Sequence, residues 1–160
     1  MSTAFLEWLQ GTPLAVSVAE EWFPLVESVH VIAMAIAAGT IFLVDTRLIG
    51  LTSTRLPFSY VSERLLPWTW VAFGCSVLTG TLMFIANATG YYDNIPFRVK
   101  MVLLLLAGLN MLYFQVTFRS VAVWDAGPPP SRARLAGLIS IGLWCGVIGF
   151  GRWIGFVIGK

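Results

Sequence analysis

The sequence predicts an all-α protein of the membrane: a four-helix transmembrane bundle forming one domain over residues 1–160, preceded by a short N-terminal amphipathic helix lying in the interface. Three observations carry that prediction. Hydrophobic residues make up 58% of the chain and charged residues 11%, with a mean hydropathy of +0.81, against roughly 25% charged residues in a soluble domain. Four apolar stretches are each long enough, at ~1.5 Å of rise per residue, to cross a hydrocarbon core of ~30 Å. Proline, glycine and charged residues punctuate the chain between them. The formal charge of +2 is small and scattered, which argues against nucleic acid as a partner and for the lipid bilayer.

Thr3 to Gln10 sets Phe5, Leu6, Trp8 and Leu9 among polar residues and stops at Gly11-Thr12-Pro13, the pattern of a helix lying in the headgroup region. It lacks the basic start and apolar run of a secretory signal, so the first span is expected to act as its own insertion signal. Leu14 to Trp22, with Glu20 and Glu21, is expected to continue along the surface to Pro24. Proline there is tolerated in the first turn of span one, Phe23 to Gly50.

The loop Leu51 to Leu66 carries Arg55, Glu63 and Arg64, and Pro57 is expected to break any helix in it. Pro67-Trp68-Thr69-Trp70 then opens span two, which runs to about Asn87. Its tryptophans suit an aromatic belt, and Gly74, Ser76, Gly80 and Thr81 suit a packing face of small residues. A turn over 90–96 leads to span three, Phe97 to Phe118, with Arg98 and Lys100 in its first turn and Asn110 and Gln115 deeper. The connection Arg119 to Arg134 contains Gly127-Pro128-Pro129-Pro130, which excludes helix, and Ser131 is placed to cap the fourth span. Span four, Leu135 to Ile158, is rich in glycine, and Ser140, Gly142, Gly146 and Gly151 permit close helix contact. Cys75 and Cys145 fall inside apolar spans, outside any metal-ligand spacing, and read as small buried hydrophobes.

Four spans put both termini on one side. Arg47, Arg55, Arg64, Arg119, Arg132 and Arg134 flank the loops on the other side, against Arg98, Lys100, Arg152 and Lys160 on the side of the termini. The positive-inside bias therefore places the termini outside.

Span one holds the single histidine of the chain, His30. Glu27, His30, Met34, Ala37, Ile41 and Asp45 recur at steps of three and four and so share one helical face. An ionisable group facing the interior of a membrane bundle is costly and marks a candidate site. His30 lies ~10 Å below the outer end of its span, in the layer that Arg98 and Lys100 enter from span three, Arg152 from span four and Asn87 from span two. Such a layer suits haem b: imidazole is a common axial ligand, and cations pair with the propionates. His30 is the metal-ligating candidate, Arg98, Lys100 and Arg152 are the propionate-binding candidates, and Ala37, Gly39, Phe84 and Trp153 are candidate neighbours of the ring. One histidine supplies one ligand, so a sixth would be Met34, Met83, Met101, a water, a substrate, or His30 of a second chain. Two other readings stay open: a structural His30–Glu27 pair among cations that snorkel to headgroups, and a Cu(I) site of His30 with methionines. A second polar set, Asp45, Arg47, Arg64, Asn110 and Gln115, lies further in. There Asp45 and Arg47 are expected to pair, and Asn110 and Gln115 to hydrogen-bond across helices.

The stretches WLQGTPLA, FPLVESVHVIAMAIAAGTIFLVDTRLIGL, LPWTWVAFGCSVLTGTLMF, PFRVKMVLLLLAGLN and GRWIGF together resemble a family of bacterial four-span proteins known as a domain of unknown function. The likeness covers nearly the whole chain and implies a bacterial inner membrane. More distantly, a histidine early in span one, an LTG motif in span two, a lysine opening span three and a basic residue late in span four are similar to two groups. These are the copper-resistance-D type of membrane protein and the four-helix, haem-containing protoporphyrinogen oxidase. The second likeness maps the important histidine and lysine onto His30 and Lys100, and implies haem b with oxidation chemistry at a membrane-embedded tetrapyrrole. Where relatives often carry a further histidine late in span three, this chain has Gln115.

Taken together, the expected function is a membrane-embedded b-type haem protein for electron transfer or redox chemistry near the outer face. The alternative is a cofactor-free structural or assembly subunit of a membrane complex. In either case a homo-oligomer or a larger assembly is expected, with both termini periplasmic. Short loops and continuous apolar spans offer neither the broken helices nor the internal repeat of a transporter. A single histidine leaves no hydrolytic triad or metal-hydrolase spacing, and whether the chain is an enzyme stays open.

Overall fold

The computed structural model describes residues 3–52, 56–117 and 128–157. Arg55, Arg119 and Lys160, and the expected span ends at 118 and 158, lie outside them. Among the described residues the chain is helical throughout its elements, and four helices are long and apolar enough to cross a membrane.

Helix α1, Thr3–Gln10, is the expected amphipathic helix: it buries Leu6 and exposes Trp8. Thr12 caps the next helix by accepting from the Ala15 amide at 3.3 Å. From Pro13 the chain is helical without a break to Leu48, so the segment Leu14–Trp22 is continuous with the helix of span one. Helix α2, Pro13–Ser17, passes through a π-helical turn, Val18–Trp22, into α3, Phe23–Leu48. Pro24 gives the physical reason for the turn. It offers no amide to the carbonyl of Glu20, four residues back, and its ring crowds that carbonyl. A wider turn relieves both without ending the helix.

Helix α4, Phe58–Ala86, starts well before the expected Pro67. Pro57 precedes it, where a proline ring suits a helix start, and Pro67 sits inside it. The exposed helix therefore absorbs one missing hydrogen bond rather than stopping. Asn87 caps the short α5, Ala88–Asp93, through the Gly90 amide, and Asn94 caps α6, Ile95–Thr117, through the Phe97 amide at 2.9 Å. Helix α7, Ser131–Val157, begins four residues ahead of the expected Leu135. The Pro130 carbonyl already accepts from the Arg134 amide at 3.0 Å, so Ser131 lies in the first turn rather than ahead of it.

The bundle is two helix pairs, α3 with α4 and α6 with α7, joined along a seam between α3 and α7. Gly137 sets that seam: a Cβ there would stand 3.1 Å from Ile49 Cγ2 and 3.4 Å from the Asp45 carbonyl. The middle of the bundle packs Ala38, Ala107, Trp144 and Val147, with Phe73 edge-on to Trp144. The backbones of α4 and α6 do not come close to each other. Rings bridge them at the two ends, Phe84 on Phe97 (5.6 Å between centroids) and Phe58 on Phe114 (5.9 Å). Large apolar side chains such as Leu105, Leu109 and Val116 of α6 point outward, as they should where lipid replaces water. Of the small residues expected to pack α4, Ser76 is buried and Gly80 meets α3, while Gly74 and Thr81 face away.

Candidate functional site

His30 sits on the inward face of α3, where the three- and four-residue spacing places it, and is half-buried against α4. Its Nδ1 is 3.0 Å from the Ser76 carbonyl and 3.0 Å from Thr79 Oγ1. A carbonyl can only accept, so Nδ1 carries the proton. Thr79 spends its own proton on the Cys75 carbonyl at 2.8 Å, which leaves its oxygen free to accept as well. The imidazole is thereby fixed in one tautomer and one orientation, with Nε2 as the lone-pair nitrogen. Gly80 makes room for the ring: a Cβ there would lie 3.1 Å from His30 Cε1. The sequence marked Ser76 and Gly80 only as small residues and passed over Thr79. The signal was there in the three-residue step from 76 to 79, which sets both over the same ring.

Lys100 enters the same layer from α6, half-buried, close enough for its charge to act on the imidazole. Its stem lies along Gly151 of α7, where a Cβ would be 3.6 Å from Nζ. All four long helices thus meet at His30 and Lys100. The two arginines sit differently. Arg98 donates from Nε to the Tyr92 carbonyl at 2.7 Å, lies over the Tyr92 ring and faces Asp93 at 3.8 Å across an exposed pair. Arg152 lies over Phe156 and is exposed. Both are held at the rim.

Glu27 is exposed, and its charge is felt at Tyr91 of α5. Burial first, and that carboxylate second, push the Tyr91 phenol above its usual range. Met34 accepts from Ser76 Oγ at 3.1 Å, and Met101 is exposed. Of the expected ring neighbours, Ala37 is fully buried and Phe84 is stacked on Phe97, whereas Gly39 and Trp153 face outward. Among the described residues no three His, Cys, Asp or Glu side chains gather as they would around a metal ion.

At the other end of the bundle the expected Asp45–Arg47 pair does not form. Arg47 donates from Nε and Nη2 to the Leu56 carbonyl, at 3.0 and 2.6 Å, because residues two apart on a helix point to opposite sides. Asp45 faces inward, hydrogen-bonded to Ser140. Asn110 does reach across helices as expected, donating to the Ala136 carbonyl at 2.9 Å. Arg64 lies over Tyr60 at the surface. Between the helix pairs at this end is a cavity of about 470 Å³ lined by residues of α3, α4, α6 and α7, which the sequence did not foretell.

No curated protein and no solved structure matches the chain. One family model does, over residues 3–157, nearly the whole length. The chain belongs to that family, the family of unknown function DUF6644.

Proposed function

We propose that the chain binds a b-type haem within the membrane through His30 Nε2, with Lys100 as the nearest cation for a propionate and Arg98 and Arg152 at the rim, and that it serves electron transfer or redox chemistry near the outer face. One observation carries the reading. The ring's Nδ1 is tied to the Ser76 carbonyl and Thr79, so in the neutral imidazole Nε2 is the nitrogen that carries the free lone pair. That arrangement orients metal-ligating histidines and raises their basicity. The donor set also fits in kind, since the protein brings an imidazole and a lysine amine into one half-buried layer. A bound haem would supply one-electron redox chemistry. The chain's own residues fix the tautomer, hold the ring edge-on to Gly80 and bring positive charge beside it. Arg98 and Arg152 would join only by leaving the aromatic rings they now cover. A bacterial inner membrane, periplasmic termini and a homo-oligomer or larger complex belong to the same proposal.

A second reading, a cofactor-free structural subunit, is favoured by a specific observation too: Arg98 and Arg152 already have partners, and the His30 bonds alone would serve to fix the register of α3 on α4. Absorption spectra of the detergent-purified protein from haem-sufficient cells separate the two, taken oxidised and dithionite-reduced beside His30→Ala. The haem reading expects a Soret band that the variant loses. A Soret band retained at full strength in the variant overturns the ligand assignment, and a colourless native protein gives the second reading the field.

A further inference from the structure

The cavity at the Asp45 end reaches the middle of the bundle, where Ala107 and Trp144 form part of its wall, and His30 and Lys100 are not among its lining residues. Its walls are mainly apolar and aromatic, including Phe58, Trp70, Phe73 and Trp144. Its volume, about 470 Å³, is within the usual range for small-molecule sites. Asp45 lines it, is only 7% exposed, and holds a carboxyl oxygen, Oδ2, with no hydrogen-bond partner among the described residues. Ser140 engages the carboxyl, and the nearest arginine along the chain, Arg47, is committed to the Leu56 carbonyl. Packing did not require this. A leucine would fill the same place at no electrostatic cost, and an isolated carboxylate in hydrocarbon is among the most expensive side chains a span can carry.

We propose that this cavity is a binding site for a lipophilic organic cation, an apolar or aromatic body carrying a protonated amine that pairs with Asp45. The charge argument selects the cation. Among the described residues the cavity wall carries one acidic side chain and no basic one, so a bound ammonium would pair with the Asp45 carboxylate and donate to Oδ2 at once. The aromatic walls favour the same occupant, since ring faces attract cations when water is excluded. The backbones of α4 and α6 stand apart between their two ring contacts, and this is the side from which a molecule dissolved in the bilayer would enter.

Two fluorescent probes test this on the full-length protein in lipid nanodiscs, read by energy transfer from tryptophan. One is the dansyl amide of ethylenediamine, ending in a protonated amine. The other is the dansyl amide of ethanolamine, with a hydroxyl in its place. The native protein should bind the amine at least tenfold more tightly than the hydroxyl probe, after subtraction of empty nanodiscs. Asp45→Asn should bring the ratio to about one. Gly108→Leu, which fills the cavity from α6 at a position where an added Cβ meets nothing within 4 Å, should abolish saturable binding of both probes while leaving Asp45 in place. Equal affinity for the two probes in the native protein, or tighter binding of the hydroxyl probe, overturns the cation assignment. Undiminished amine binding in Gly108→Leu overturns the site, even if Asp45→Asn fails to fold.

Discussion

His30 and Asp45 lie on one face of α3, fifteen residues and so ~22 Å apart along the helix, and their surroundings are built on opposite terms. Around His30 the protein ties down one side of the ring and leaves Nε2 open: Nδ1 has two acceptors, Ser76 reaches the Met34 sulfur, and the lysine stem rests on glycine. Around Asp45 a carboxyl oxygen has no partner among the described residues, and a cavity opens where packing could have closed. The first arrangement contributes to stability whether or not anything binds. The second costs stability unless something does. A polar atom whose bonds are complete is weak evidence of function, and an unpartnered buried one in a cavity is stronger, because folding alone gives no reason for it.

The contrast can be broken most severely at Gly137. This glycine lets α3 and α7 meet just beside Asp45, and it holds the two helix pairs together there. Gly137→Leu would push against the Ile49 and Leu48 side chains and the Asp45 carbonyl, and the backbone carbonyl can yield only by opening the seam. Overpacking of this kind costs about 3 kcal/mol, read as a drop in the thermal midpoint in detergent. Gly142→Leu, on the same helix but with nothing within 4 Å of an added Cβ, should be near neutral. Equal effects of the two would mean that the seam does not hold the pairs together.

Next in size is a change of opposite sign. If Asp45 is a cost retained for binding, Asp45→Asn should raise stability, by about 1–3 kcal/mol, since it removes an acidic group from an apolar wall while keeping a group for Ser140 to bond. The same unfolding measurement decides. A loss of stability in this variant would show that the carboxyl is satisfied in a way the cavity geometry does not reveal, and would erase the difference between the two ends.

Much of the His30 layer was legible in the sequence, and little of the Asp45 cavity was. Helical periodicity is a local property, so the shared face of His30, Met34, Ala37, Ile41 and Asp45 could be read directly from spacing. The spans were recognisable from apolar length. Their ends were not, where a proline can be carried inside a helix, as at Pro67, or absorbed by a widened turn, as at Pro24. How the arginines are held was not legible, because charge at a span end reads the same whether it points into the bundle or lies over Tyr92 or Phe156. Proximity in sequence suggested that Arg47 neutralises Asp45, but helical geometry sends the two in different directions. A cavity depends on how two helix pairs separate, which no single segment encodes.

The finest test of the comparison concerns the clamp on His30. Thr79→Val keeps the shape and β-branching of the side chain and removes one of the two acceptors for the ring, leaving the Ser76 carbonyl in place. The expected loss is about 0.5–1 kcal/mol, the net contribution of one hydrogen bond. Part of it would come from the lost bond to the Cys75 carbonyl, which has nothing to do with His30. A double-mutant cycle with His30→Ala removes that ambiguity. If the hydroxyl acts by holding the imidazole, Thr79→Val should cost less once His30 is gone, with a coupling of about 0.5 kcal/mol. If the two changes simply add, Thr79 is only bonding back to its own helix. The orientation of His30 would then rest on the Ser76 carbonyl alone, and the outer layer would be less tightly built than its distances suggest.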